Sequence, residues 1–162
     1  MRDMRYKTGF TLIEVLIAII LVGLSIASLV GANGSYTKVN GAGTDLSTAE
    51  FIIEQFKELT APLAVIDPNT ETSIFGPEEP TVAQYDDLDD FDGAGFSPPI
   101  GIDRAPLSQL AAFSQQVTVE NVSASNFEQV VADHSSFFVR VTVTVSLSSR
   151  QINSASWIRA RY

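Results

Sequence analysis

The chain has 162 residues, enough for one ordinary domain with a terminal extension. It is 45% hydrophobic and 18% charged, with a mean hydropathy of +0.16, which excludes both a disordered chain and a polytopic membrane protein. The net charge of −9 argues against a nucleic-acid partner, and the lack of cysteine rules out disulfides, zinc–thiolate sites and thiol catalysis.

The N-terminal end is unlike the average. Residues 1–9 are short and polar and carry Arg2, Arg5 and Lys7 against Asp3. Residues 10–32 then run 23 positions with a single charge, Glu14. As a helix this segment measures roughly 35 Å at about 1.5 Å per residue, against a hydrocarbon core of about 30 Å. The basic flank predicts that residues 1–9 stay cytoplasmic and that the rest is exported. Three readings compete. One is a secretory signal peptide, with small-residue sites ending at Ala27 and Ala32. The second is a plain membrane anchor. The third gives Glu14 a task, because a carboxylate at membrane depth costs on the order of 2.5–3.5 kcal/mol or more. Neither of the first two readings uses Glu14.

The residues around that carboxylate are Gly9-Phe10-Thr11-Leu12-Ile13-Glu14, after a basic leader and before an unbroken apolar run. This arrangement resembles the type IV prepilin signature, which type II secretion pseudopilins share. The resemblance implies that a membrane-embedded prepilin peptidase cuts between Gly9 and Phe10 and N-methylates Phe10. It also implies that the apolar segment is retained. The new Phe10 ammonium then needs a partner in an apolar surrounding. In the family that partner is the glutamate, here Glu14, usually pairing with the amine of a neighbouring subunit. The implied partners are prepilin peptidase, other pilin or pseudopilin subunits, an inner-membrane assembly platform and membrane lipid. The implied location is a single-pass inner-membrane protein with an exported domain, later part of a cell-surface or periplasm-spanning filament. The resemblance covers about residues 5–32.

Residues 35–60 read as a continuation of the helix. Val39, Ala42, Leu46, Ala49, Ile53 and Phe56 are spaced 3, 4, 3, 4, 3, and Ile52 and Leu59 widen that seam into a core-facing stripe. Gly31, Gly34, Gly41 and Gly43 weaken it, each by up to about 1 kcal/mol relative to Ala. Ser47-Thr48-Ala49-Glu50 reads as a capping box. The helix is therefore expected to kink, melt locally or restart near residue 44. Pro62 ends it. Residues 61–106 hold all seven prolines and read as loops, with a short strand at residues 73–75. From Asp45 to Asp103 there are fourteen acidic residues and one basic residue, Lys57.

The remainder reads as β-structure. Residues 116–122 alternate, and residues 137–148 give the clearest strand. There Val139, Val141, Val143, Val145 and Leu147 point one way and Arg140, Thr142, Thr144 and Ser146 the other. Residues 148–151 turn the chain into a last strand at 152–161. Alternation there sets Ile158, Ala160 and Tyr162 on one face and Trp157, Arg159 and Arg161 on the other, with Trp157 as surface packing of the sheet. An antiparallel sheet of three to four strands needs a cover on its apolar face, and the amphipathic helix supplies it. The expected class is α+β. This is also the pilin fold that the resemblance implies: a long N-terminal helix, transmembrane in its first half and amphipathic in its second, packed on a small sheet. The expected organisation is a leader at 1–9, a transmembrane or filament-core helix at 10–32 and an exported domain at 33–162. That domain comprises the helix at 35–60, the acidic loop region at 61–106 and the strands at 116–161.

The run Tyr85-Asp86-Asp87-Leu88-Asp89-Asp90-Phe91-Asp92-Gly93 invites a calcium reading. It is not an EF-hand: with Gly93 at loop position 6, position 1 is Leu88 and position 12 is Pro99. A looser calcium loop of Asp86, Asp87, Asp89, Asp90 and Asp92 stays open, and the resemblance allows it, since some pseudopilins bind calcium in this part of the domain. The plainer reading is a solvated acidic loop docked on Arg140, Arg150, Arg159 or Arg161. The same string, followed by Ser97-Pro98-Pro99, resembles a segment of many minor prepilins. His134 is the only histidine and no G-x-S-x-G elbow, Walker or dinucleotide motif is present, so His134 reads as a surface-loop residue and the chain as no enzyme. Two other classes fit the same residues. One is a secreted soluble domain released by signal peptidase. The other is a membrane-anchored calcium-dependent binding module.

Overall fold

In the computed structural model residues 9–67 and 75–161 are described. The expected strand at 73–75 lies outside them, apart from Phe75. The chain divides into two compact units between Gly43 and Thr44. Helix α1 spans Leu12–Thr60 without interruption. The expected break near residue 44 is therefore not found, although the unit division falls there. Thr48 does not cap a new helix; its hydroxyl donates back to the Thr44 carbonyl at 2.9 Å, as a mid-helix threonine does.

In the first unit the helix buries none of its side chains. Phe10 and Leu12 are each 90% exposed, and the apolar residues through Val30 are exposed likewise. An 18-residue window of mean hydropathy 2.7 makes the helix long and apolar enough to cross a membrane. Its hydroxyls are satisfied locally: Ser25 donates to the Leu21 carbonyl at 2.8 Å and Ser28 to that of Leu24 at 2.9 Å. Such i−4 bonds let serine sit in an apolar surrounding without an orphaned donor.

The second unit holds the end of α1 and the sheet. Strands β1 (Gly95–Phe96), β2 (Phe113–Ser123), β3 (Asn126–Val130), β4 (Phe138–Leu147) and β5 (Arg150–Ala160) are all antiparallel, in the order β1-β2-β4-β5 with β3 also on β2. The long strands lie where alternation predicts them, each within a few residues. The sheet has five strands rather than three or four, because β1 and β3 are too short to carry a periodic signal. Turn Ser148-Ser149 joins β4 to β5 with φ of +48° and +68°, the left-handed pair of a two-residue hairpin loop.

The core lies between α1 and one face of the sheet. Ala49, Ile52, Ile53, Phe56 and Leu59 are buried, and they meet Val117, Val119, Val139, Val141, Val143 and Val145. The seam read from the sequence is core only from Ala49 onward; Val39 and Leu46 are exposed. Trp157 corrects an expectation. It is opposite Val141 in the buried row, and its ring centre lies 6.5 Å from that of Phe56, so it packs beneath the helix rather than on the open sheet surface. Arg159, on the same side, donates to the carbonyls of Thr60 and Leu63, both at 2.9 Å. A cation at a helix C-terminus satisfies orphaned carbonyls and complements the helix dipole. The helix stops at Thr60 because Ala61 precedes Pro62, which disfavours the helical conformation.

Candidate functional sites

The first site is the start of α1. Gly9, Phe10 and Thr11 precede the helix, and Thr11 is its N-cap. The Thr11 amide donates to Glu14 Oε2 at 2.8 Å, the Thr11 hydroxyl donates to the same oxygen at 2.8 Å, and the Glu14 amide donates to Thr11 Oγ1 at 3.4 Å. This is a reciprocal capping box, T-x-x-E. It was readable in the sequence as Thr11-Leu12-Ile13-Glu14, but attention to the charge alone misses it. The box holds the Glu14 carboxylate on Thr11, the residue that follows Phe10. Gly9 and Phe10 are exposed. A groove lined by Phe10, Glu14, Val15, Ala18, Ile19 and Val22 runs along this apolar surface.

The second site is the acidic turn, and here the solvated-loop expectation is overturned. Asp87, Asp89 and Asp90 are at most 1% exposed, as are Leu88 and Phe91. Only Asp86 is exposed, and Asp92 is half-buried. The cause is Phe91, whose ring meets those of Phe56 and Tyr85 edge-on at 5.2 and 5.0 Å. Anchoring that ring drags its acidic neighbours inward. They in turn hold backbone amides. Asp87 Oδ1 accepts from the Asp90 amide at 3.1 Å, and Asp90 Oδ2 accepts from Asp86 at 3.0 Å. Asp92 Oδ1 accepts from Val119 at 2.8 Å and so ties the turn to β2. Gly93, at φ +70°, ends the turn in a conformation that favours glycine.

Among the described residues, Arg140, Arg150 and Arg159 have partners other than this loop. Arg140 pairs with Glu120 at 2.8 Å and Glu128 at 3.5 Å, Arg150 with Asp45 at 3.9 Å, and Arg159 binds carbonyls. Arg104, after the acidic stretch, donates to the Ala83 carbonyl at 2.9 Å. Burial pushes the Asp87 carboxyl up to about 8, helped by a hydrogen bond to Asp89, and pushes Asp89 up to about 6. A side-chain hydrogen bond with Asp90 raises Glu79 to about 7.

Three carboxylates that the sequence did not single out, Asp67, Glu78 and Glu79, complete this region. Oxygens of Glu78, Asp87 and Asp90 lie within 4.8 Å of one another, and so do those of Glu79, Asp86 and Asp90 and those of Asp67, Asp86 and Asp87. Asp89 and Asp92 belong to none of these groups. Glu78-Glu79 sit between Pro77 and Pro80, a stretch without periodicity, so nothing local marks them as partners of a turn ten residues on. His134 lies in a turn at φ +59° with its ring 5.8 Å from that of Phe75, half-buried rather than free on the surface.

Residues 4–30 match the prokaryotic N-terminal methylation motif. The chain thus carries the hallmark of type IV prepilin-like proteins, with a long N-terminal apolar helix and a small antiparallel sheet in the α+β arrangement of pilins. No curated protein and no solved structure matches the chain.

Proposed function

We propose that the chain is the precursor of a filament subunit, a minor pilin or pseudopilin of a type IV pilus or type II secretion system. The observation that carries this is the methylation motif at residues 4–30, which takes in the exposed apolar first part of α1. In this reading residues 1–9 are the leader. Water adds across the Gly9–Phe10 bond at prepilin peptidase, releasing the leader with a Gly9 carboxylate and leaving an ammonium on Phe10. The ammonium then loses a proton, and the free amine takes a methyl group from an electrophilic methyl donor, whose bond to that carbon breaks. The exposed position of both residues, outside the first helical turn, suits an enzyme that must engage an extended backbone. Residues 10–32 stay in the inner membrane and later form the filament core by helix-on-helix packing, where Glu14 meets the Phe10 amine of a neighbouring subunit. Removal of residues 1–9 leaves seven basic and eighteen acidic residues, a net charge of −11. Such a charge disfavours DNA as the ligand of this subunit. The chain is a structural component and the substrate of an enzyme.

Replacing Gly9 by Leu tests the processing step. With prepilin peptidase present, Gly9→Leu is expected to keep its leader and its full precursor mass. A variant of mature mass would show that the cleavage site lies elsewhere.

A further inference from the structure

We propose that the free edge of β5 and the acidic groove beside it dock an extended segment of a different protein, which adds a strand to the sheet and sets two cationic side chains on Glu50 and Glu54. The inference stands apart from the filament reading and rests on the second unit alone.

β5 is the last strand of the path β1-β2-β4-β5, and among the described residues no strand or isolated bridge pairs its outer side. An edge of this kind offers a row of unpaired amides and carbonyls. Proteins usually blunt it with a short strand, a bulge, proline or an inward-pointing charge. The bulge of β5 comes early: Gln151 opposes Ser146 and Asn153 opposes Val145, so Ile152 is the extra residue. From Asn153 to Ala160 the register with β4 runs without a break, and that stretch holds no proline and no lysine. Its one charge, Arg159, is turned onto the carbonyls of Thr60 and Leu63. Ser154, Ala155 and Ser156 are small, which lets a second backbone approach.

The groove selects the occupant. It holds about 330 Å³ and is lined by Glu50, Ile53 and Glu54 of α1 and by Asn153 and Ala155 of β5. Both glutamates are exposed, and Glu50 joins none of the ion pairs of the described residues. Glu54 meets Lys57 at 3.4 Å, an exposed pair of the kind that contributes little. The glutamates stand one helical turn apart, about 6 Å along the axis. Asn153 and Ala155 are two strand positions apart, about 6.6 Å. An added strand repeats that second spacing, so its residues opposite Asn153 and Ala155 fall beside Glu50 and Glu54. Lysine or arginine at two such positions, i and i+2, complements the groove in charge, while the added backbone pairs with the edge.

A second copy of this chain fits poorly. Two β5 edges paired about Ser154 and Ala155 would set Arg150 of each opposite Arg159 of the other, and like charges directly opposite are destabilising. Away from the last strand, the bases of the described residues are Lys38 and Lys57 on α1, Arg104 in a turn and Arg140 within the sheet. None of these lies on a free extended segment.

The test uses a fluorescein-labelled octapeptide of alternating lysine and threonine, with full-length protein in neutral detergent micelles at about 0.15 M salt. Fluorescence anisotropy is expected to give a Kd on the order of 10⁻⁴ M or tighter, with no signal from empty micelles. Hydrogen exchange should slow at the amides of residues 153–156. The same peptide N-methylated at every amide, and one with glutamate in place of lysine, should each bind at least about tenfold more weakly. Glu50→Gln combined with Glu54→Gln should weaken the lysine peptide by about fivefold or more. Glu128→Gln, at an exposed acid of β3, should stay within about twofold. Absence of binding at millimolar peptide would overturn the proposal. Equal affinity for the N-methylated peptide would overturn it too, as attraction between charges without an added strand. Wild-type affinity in the double variant would do the same. A peptide-free dimer protected at residues 153–156 would assign the edge to a second copy and overturn the proposal equally.

Discussion

Glu14 has one set of partners in the structure and, in the proposed function, a second. In the precursor its carboxylate closes the cap of α1 with Thr11, so it is not an orphaned charge while the chain waits unassembled. In the proposed filament it meets a neighbour's Phe10 ammonium. The exchange is possible because the cap is a few exposed hydrogen bonds, while an ammonium left unpaired in an apolar core costs about 3–5 kcal/mol. Glu14→Ala is therefore expected to be cleaved normally but to enter filaments on the order of tenfold less or worse. Immunoblots of sheared filaments against whole-cell precursor and mature bands give this ratio, and normal incorporation would remove the role assigned to Glu14. Arg159 is the second residue whose position explains more than its type. It bonds the last carbonyl of α1, that of Thr60, and the carbonyl of Leu63 just beyond the helix. Arg159→Ala should lower the unfolding free energy by about 1.5–3 kcal/mol in denaturant titration, in line with charge-assisted hydrogen bonds. An unchanged midpoint would mean that water replaces it. Neither Arg159 nor Trp157 could be assigned to the helix side from alternation alone, because Ile158 is equally apolar and the true face is set by register with β4.

Among the elements, the long ones were legible and the short ones were not. Strand β4 alternates over its whole length, and a period of two needs no tertiary context to be read. The helix was legible as a stripe at Ala49, Ile52, Ile53 and Phe56, yet its glycines suggested a break that the continuous hydrogen bonding of α1 does not contain. Propensity is a weak prior against a helix already nucleated on both sides. The acidic turn was misread for a different reason. Its burial depends on Phe91 meeting Phe56, a residue thirty-five positions away, and no local pattern reports such a contact. The hairpin between β4 and β5 offers a test at this scale. Ser148 and Ser149 both hold φ > 0, which side-chain-bearing residues adopt at a cost. Ser148→Asn combined with Ser149→Gly should raise stability by on the order of 1 kcal/mol, read from the denaturation midpoint. A lower midpoint would show that these hydroxyls contribute more than the turn geometry does.

For the molecule as a whole, the uneven sequence matches an uneven structure. The positive hydropathy comes largely from the exposed stretch of α1, and the negative charge from residues 45–103, of which Asp87, Asp89 and Asp90 are folded inward beside Phe91. The prepilin-type motif and the α+β arrangement were both legible because each rests on contiguous residues: a short motif in one case, long periodic elements in the other. The carboxylate convergence was not, since it joins segments that only folding brings together. The central claim is the fate of the first nine residues. N-terminal sequencing and mass spectrometry of the mature protein, from cells that contain prepilin peptidase, test it most directly. The expected product begins at N-methylated Phe10 and retains the apolar helix. A mature chain beginning at Ser28 or Asn33 would contradict the account and make the segment a cleaved secretory signal.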